Sequence, residues 1–280
     1  MRCIFCKCDS TNSKSVEHIL PESLGNKSHI LRPGIVCDHC NNYLAREVEK
    51  PFLENSSIRE LRFEEGILSK KGRIPTVDGV LIENRKLSPI SLSRPSEFPG
   101  SMLAQNPLIF EFKDGVKPSS KGKILIPKFD ISMSLPNGTT LSRFLGKIAL
   151  EVLALRLSEH PEGIDYLIDE VQLDDLRNHV RYGRITDWPC SVRQIYDKNI
   201  PLFDDQTGEL YQVINEFDIL LTEHSEYYLV LAIFGIEFVI NMGGAEISGY
   251  YDWLRQNNNK SPLYVNLKEH NQKCLEKFMI

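Results

Sequence analysis

The chain has 280 residues, of which 41% are hydrophobic and 25% charged, and its net charge is −5. Such a length supports a sizeable core and two domains, and the composition is ordinary for a soluble globular protein. The longest strongly apolar stretch, residues 227–242, is broken by Gly235 and Glu237. It falls short of the roughly 20 apolar residues that a membrane-spanning helix needs, so no membrane contact is expected. No apolar leader precedes the first cysteine, and the expected location is the cytoplasm.

The charge is uneven along the chain. Residues 1–58 hold 7 Lys and Arg against 7 Asp and Glu, residues 59–148 hold 15 against 9, and residues 149–280 hold 11 against 22. A basic middle suits a polyanionic partner, whereas the acidic C-terminal half does not suit DNA contact.

From the N-terminus, the first feature is cysteine. Five of the seven cysteines fall within the first forty residues, and the odd total with short paired spacings points to metal binding rather than disulfides. Cys3-x-x-Cys6 and Cys37-x-x-Cys40 are two knuckles. Each turns two thiolates toward one ion, and together they complete a tetrahedral four-sulfur zinc site. With no open position, that Zn²⁺ is structural. Cys8 is expected to be a bystander and His39 an exposed linker residue.

Residues 41–49 predict a short helix on the spacing of Tyr43, Leu44 and Val48, ended or kinked by Pro51. Residues 66–140 are rich in Gly, Pro and Ser, with β-like runs at 108–112 and 123–126. The clearest helix is 141–158, with turn and cap chemistry at 137–140 and an apolar stripe of Leu141, Phe144, Leu145, Ile148, Val152 and Leu155. Lys147 is expected on its surface. A second helix is expected over 165–180. Strand-like runs follow at 192–196, 211–221 and 227–240, the last two joined as a hairpin by the polar residues 222–226.

The insert between the knuckles reads Ser15-Val16-Glu17-His18-Ile19-Leu20-Pro21-Glu22-Ser23-Leu24-Gly25-Asn26, and Asn41-Asn42 follows the second knuckle. With these residues the segment 1–55 resembles the HNH endonuclease family, in its branch with two CxxC pairs. The resemblance implies a ββα-metal fold, a hairpin and a helix around a divalent cation. It implies His18 as general base, and Glu17 and Asn41 as ligands of a catalytic Mg²⁺ or Mn²⁺. One departure stands out. The family's middle Asn, which orients the catalytic His, has no counterpart in residues 31–36, leaving Asn26 or a backbone carbonyl for that role.

The chemistry of these residue types agrees. A neutral imidazole accepts a proton from water near pH 7, and a hard cation prefers the oxygens of Glu and Asn. Adjacent strand residues point to opposite faces, so Glu17 and His18 need a twist to serve one site, or approach it from different sides. Arg32, Arg46, Lys50, Arg59 and Arg62 are candidate phosphate contacts, and Lys70, Lys71 and Arg73 form a sharper basic cluster in an expected loop.

The expected protein is therefore α+β. An HNH nuclease domain spans 1–60, a basic strand-rich connection 61–140, and an acidic α+β domain of unrecognised fold 141–280. The expected activity is DNA hydrolysis, in restriction or anti-phage defence, with a protein partner or homodimer formed through the C-terminal domain. The alternatives are a non-catalytic zinc module that binds nucleic acid or protein, and a nuclease active only within a complex.

Overall fold

The computed structural model describes residues 1–95, 108–112, 122–126, 135–185, 187–196, 202–203, 210–211 and 215–266. The chain divides into two compact units. The first combines Met1–Pro21, Asn26–Phe52 and Asn137–Ile280, and the second holds Glu22–Gly25 and Leu53–Pro136. Mixed helix and sheet content makes the class α+β, as expected. Among the described residues no helix is long and apolar enough to cross a membrane.

In the first unit, β1 (Glu17–His18) pairs antiparallel with β2 (Ile30–Leu31), in the register Glu17↔Leu31 and His18↔Ile30. Helix α1 (Asp38–Leu44) follows, capped by Cys37, whose side chain accepts from the Cys40 N–H. A π-turn over Ala45–Glu49 continues into α2 (Lys50–Leu53), and the Lys50 N–H bonds the Ala45 carbonyl five residues back. Pro51 supplies no N–H to the ladder, and the widened turn lies immediately before it. Helical structure thus runs through the proline to Leu53 and does not end at it.

Helix α4 (Gly138–Leu157) is the central element, capped by the Asn137 side chain accepting from Thr140 N–H. From Leu141 to Val152 it is buried around nearly its whole circumference, including Lys147, which is 0% exposed. The expectation of a surface Lys147 is corrected here; three carboxylates described below explain its burial. Gly146 lets the neighbouring helix approach closely, since a Cβ there would stand 2.8 Å from Val180 Cγ2 and 2.9 Å from Leu176 Cδ1.

The single helix expected over 165–180 is instead two, α5 (Gly163–Asp169) and α6 (Asp174–Tyr182), with a 3₁₀ turn between. Glu170 breaks the run: its backbone is extended and its carboxylate accepts from Gln172 N–H, starting the new turn.

Further along, β7 (Cys190–Gln194), β10 (Asn215–Leu221), β11 (Tyr227–Ile233) and β12 (Ile236–Asn241) form an antiparallel sheet in the order β10-β11-β12-β7. A two-strand pair, β8 (Leu202–Phe203) with β9 (Leu210–Tyr211), precedes β10. The hairpin through 222–226 is present. Residues 212–214 of the expected strand 211–221 lie outside the described residues. The apolar run 227–240 is two strands rather than one, turned by Phe234 (φ 50°) and Gly235 (φ 83°). Both are buried on both faces, with α7 (Ser248–Gln256) contributing Tyr250 and Leu254 to one side. Glu237, fully buried in β12, is answered by Arg193 and Ser261 and accepts from Tyr250 Oη at 2.5 Å.

The second unit holds α3 (Ser56–Glu64) and a sheet of β3 (Val77–Glu83), β4 (Lys86–Ser93), β5 (Ile109–Phe112) and β6 (Lys123–Leu125), ordered β5-β4-β3-β6. Asn84 and Arg85, both at positive φ, make the β3–β4 turn. Phe63, Ile74, Val77, Leu81, Ile90 and Leu92 form its core.

Candidate metal centre and hydrolytic site

The four knuckle cysteines converge. Their sulfurs lie within 4.8 Å of one another, and among the described residues they are the one group of three or more His, Cys, Asp or Glu side chains that does so. Cys6 Sγ and Cys37 Sγ are 3.7 Å apart. A tetrahedron with metal–sulfur bonds near 2.3 Å has edges of about 3.8 Å, so the set fits Zn²⁺. Backbone N–H groups support the sulfurs, Cys37 N donating to Cys3 Sγ at 3.3 Å and Cys40 N to Cys37 Sγ at 3.4 Å. The Cys3 thiol is pushed down to about 5, chiefly by the bond from the Cys40 thiol and then by backbone N–H donors. A thiolate is the form that binds metal. Cys8 is exposed and outside the cluster, and His39 is exposed, as expected.

The hairpin is attached to this centre by short local bonds. Asp38, first in α1, accepts from Lys14 N at 3.0 Å and from Ser15 N at 2.8 Å, which ties the start of the insert to the start of the helix. Those bonds, the Ser15 side chain first, hold the Asp38 carboxyl below its ordinary range. Asn26, 1% exposed, uses both ends of its amide. Its Nδ2 donates to Leu20 O at 2.8 Å and His29 O at 3.0 Å, and its Oδ1 accepts from Ser28 N at 3.1 Å and His29 N at 3.0 Å.

The expected catalytic residues divide. Asn41, in the first turn of α1, reaches the hairpin and donates to the Val16 carbonyl at 3.4 Å, one residue before Glu17. Glu17 and His18 follow the alternation of a strand: Glu17 faces inward at 6% exposure, and His18 is half-buried. The Glu17 carboxylate meets Lys147 Nζ at 2.7 Å. The same ammonium lies 2.8 Å from Glu49 and 2.8 Å from Glu151, and it donates to the His18 carbonyl at 3.3 Å. Burial opposes the charge of Lys147, but the three carboxylates, Glu151 first, hold it well above the ordinary lysine range. Burial likewise raises Glu17.

Other contacts seat the N-terminal segment on the C-terminal helices of the same unit. Arg177 Nε donates to Ile4 O at 2.9 Å, and Lys7 pairs with Asp174 at 2.6 Å. Arg143 Nη2 donates to Tyr43 Oη at 3.2 Å, and Phe52 stacks on Phe144 with centroids 3.8 Å apart.

Of the basic residues, Arg32, Arg46 and Lys50 are exposed in the first unit, with Arg46 beside Glu47 at 2.6 Å. Lys70, Lys71 and Arg73 are exposed in the second, on a turn closed by Gly72 N to Ser69 O at 2.8 Å. Arg59 is directed to the Thr76 carbonyl at 2.6 Å. Arg62 is corrected: at 6% exposure it does not reach a phosphate, and burial brings it down to about 10.

Sequence reasoning missed Lys147, Glu49 and Glu151. The signal was present: Lys147 and Glu151 stand four apart inside the apolar stripe of α4, beside Phe144, Ile148 and Val152.

Residues 3–57 match the family model of the HNH endonuclease. No curated protein and no solved structure matches the chain. The N-terminal segment is thus a domain of the HNH endonuclease type, and the match covers that segment alone.

Proposed function

We propose that the protein is a divalent-metal-dependent HNH endonuclease that hydrolyses phosphodiester bonds in DNA. The observation that carries this reading is the ββα unit of Glu17–His18, Ile30–Leu31 and Asp38–Leu44, closed by four converging cysteines, in which Asn41 bonds beside Glu17.

In this reading His18, half-buried on the outer side of β1, accepts the proton of the attacking water. Glu17 and the oxygen of Asn41 are the donors for Mg²⁺ or Mn²⁺. Two protein oxygens suit a cation that keeps several waters and also binds substrate phosphate. When bound, the ion supplies positive charge to the phosphoryl oxygen and to the departing alkoxide. Asn26 takes the part of the family's middle Asn by fixing the loop that follows His18. The zinc, enclosed by four sulfurs, holds the fold and takes no part in the chemistry. Arg32, Arg46, Lys50, Lys70, Lys71 and Arg73 are the backbone-positioning contacts. Restriction or anti-phage defence is the biological setting proposed, with a partner or second copy engaged through the C-terminal part, in the cytoplasm.

One observation favours a second reading. Glu17 is buried against Lys147, as in a zinc module whose acidic residue is purely structural. Incubating the zinc-loaded protein with plasmid and Mg²⁺ or Mn²⁺ separates the two. Cleavage is expected, and DNA binding without cutting in either metal would establish the non-catalytic module.

A further inference from the structure

Lys147 lies 129 residues beyond His18, on a helix outside the matched segment, yet it touches the candidate site at two points. Its ammonium meets Glu17 Oε1 at 2.7 Å and the His18 carbonyl at 3.3 Å. It is anchored from behind by Glu151, four residues on in the same helix, at 2.8 Å, and from the side by Glu49 at 2.8 Å. The side chains of Lys147 and Glu151 are 0% exposed, and those of Glu17 and Glu49 are 7% and 15% exposed. A lysine interior enough to lose its water and gripped by carboxylates from two other elements has one position. Through it, the side chain of Glu17 and the backbone of His18 are fixed to α4. A residue that orients a metal ligand from behind ordinarily changes metal affinity by 10–100-fold when removed.

We propose that Lys147 is the positioning residue of the hydrolytic site, holding the Glu17 carboxylate by Oε1 and the His18 peptide by its carbonyl, so that the strand carrying both residues depends on α4 for a formed site. This rests on the nuclease reading above. The ammonium touches no substrate atom; it acts through Glu17 and the β1 backbone. It also gives the burial of Glu17 a functional meaning, because the contact that hides one oxygen also aims the group.

The test uses the full chain, zinc-loaded, with Mn²⁺ affinity read by electron paramagnetic resonance alongside plasmid cleavage. Lys147→Met is expected to weaken Mn²⁺ binding by at least tenfold while zinc content is retained, with cleavage partly restored by raising Mn²⁺. Arg156→Gln, which removes the exposed pair of Arg156 with Asp218 at the far end of α4 and touches neither Lys147 nor Glu17, is expected to stay within about threefold of the parent protein, since such surface pairs contribute little. Because Lys147→Met leaves three buried carboxylates without a counter-ion, the double variant Lys147→Gln, Glu151→Gln removes one charge of each sign and carries the test if the single variant does not fold. The same loss of affinity is expected. A purely structural lysine would lower the melting temperature and leave the Mn²⁺ affinity of the folded protein unchanged. Affinity within twofold of the parent in either folded variant overturns the inference and leaves the nuclease reading standing. A parent protein that binds no Mn²⁺ beyond the zinc site and cuts nothing overturns both.

Discussion

Asn26 Nδ2 donates to the Leu20 carbonyl at 2.8 Å and closes the loop between the strand carrying His18 and its partner. The amide makes four bonds, all to backbone groups of residues 20–29. Asn26→Ala deletes them all; the His29 carbonyl keeps the Ile19 N–H at 3.1 Å, while the buried bond to the Leu20 carbonyl and those from the Ser28 and His29 amides are lost. It is expected to cost about 1–3 kcal/mol of stability, with a larger loss of cleavage because the peptide after His18 is released. Denaturant unfolding and plasmid cleavage measure the two effects. Equal activity in the folded variant would remove Asn26 from the positioning role.

The zinc site makes a second prediction. Cys37 is at once a candidate ligand, the cap of α1 and an acceptor from Cys40 N–H. Structural zinc contributes on the order of 10–16 kcal/mol in small modules. Chelation or Cys37→Ser is therefore expected to release one zinc per chain and to expose the amides of residues 17–44 to hydrogen exchange. Zinc content by atomic absorption and exchange by mass spectrometry check it. Protection unchanged after zinc loss would mean that the C-terminal helices alone hold the segment.

His179 sets a pH dependence. It is fully buried, its Nε2 shares a 2.8 Å hydrogen bond with Ser142 Oγ, and its ring stacks on Trp188. Burial, then the charge of Arg143, brings its pKa from 6.5 down to about 4. Between those values the unfolded chain binds a proton that the folded chain refuses, so stability falls as the pH falls. From pH 6.5 to 4 the loss from this residue is about 3 kcal/mol. His179→Gln keeps a polar partner for Ser142 and should flatten that part of the profile, measured as the denaturation midpoint against pH. An unchanged slope would place the titration elsewhere.

The turn bearing Lys70, Lys71 and Arg73 presents three exposed cations. If each meets a phosphate, replacing all three by Ala reduces the salt dependence of DNA binding by about 0.9 per contact in the log–log slope. Fluorescence anisotropy across a salt series reads this directly. An unchanged slope would take the turn off the DNA track.

What could be read from the sequence was local. The knuckles, the Glu17–His18 pair and Asn41 lie within forty residues; the spacing of the knuckles announced the four-cysteine centre, and the ββα order came with the resemblance to the HNH family. The cap at Asn137 and the stripe of α4 were legible for the same reason. For Lys147 only the pairing with Glu151 four residues on was legible; Glu17 and Glu49 are remote in sequence, and only tertiary packing makes a buried lysine tolerable. The Phe234–Gly235 turn was hidden because β11 and β12 are covered on both faces and so lack alternation. The break at Glu170 depends on a single side chain capping a new turn. Asn26 stood out in the sequence as a candidate for the family's middle Asn, but its four bonds did not, since they go to backbone atoms that no motif names.

The central claim is that His18 does the proton chemistry of phosphodiester hydrolysis. The most direct measurement is plasmid cleavage in Mn²⁺ by the parent protein and by His18→Ala, prepared identically, with zinc content and circular dichroism matched. The account predicts cutting by the parent and a loss of at least a hundredfold in the variant, the lower end for removal of a general base. Equal cutting by the two proteins would contradict it.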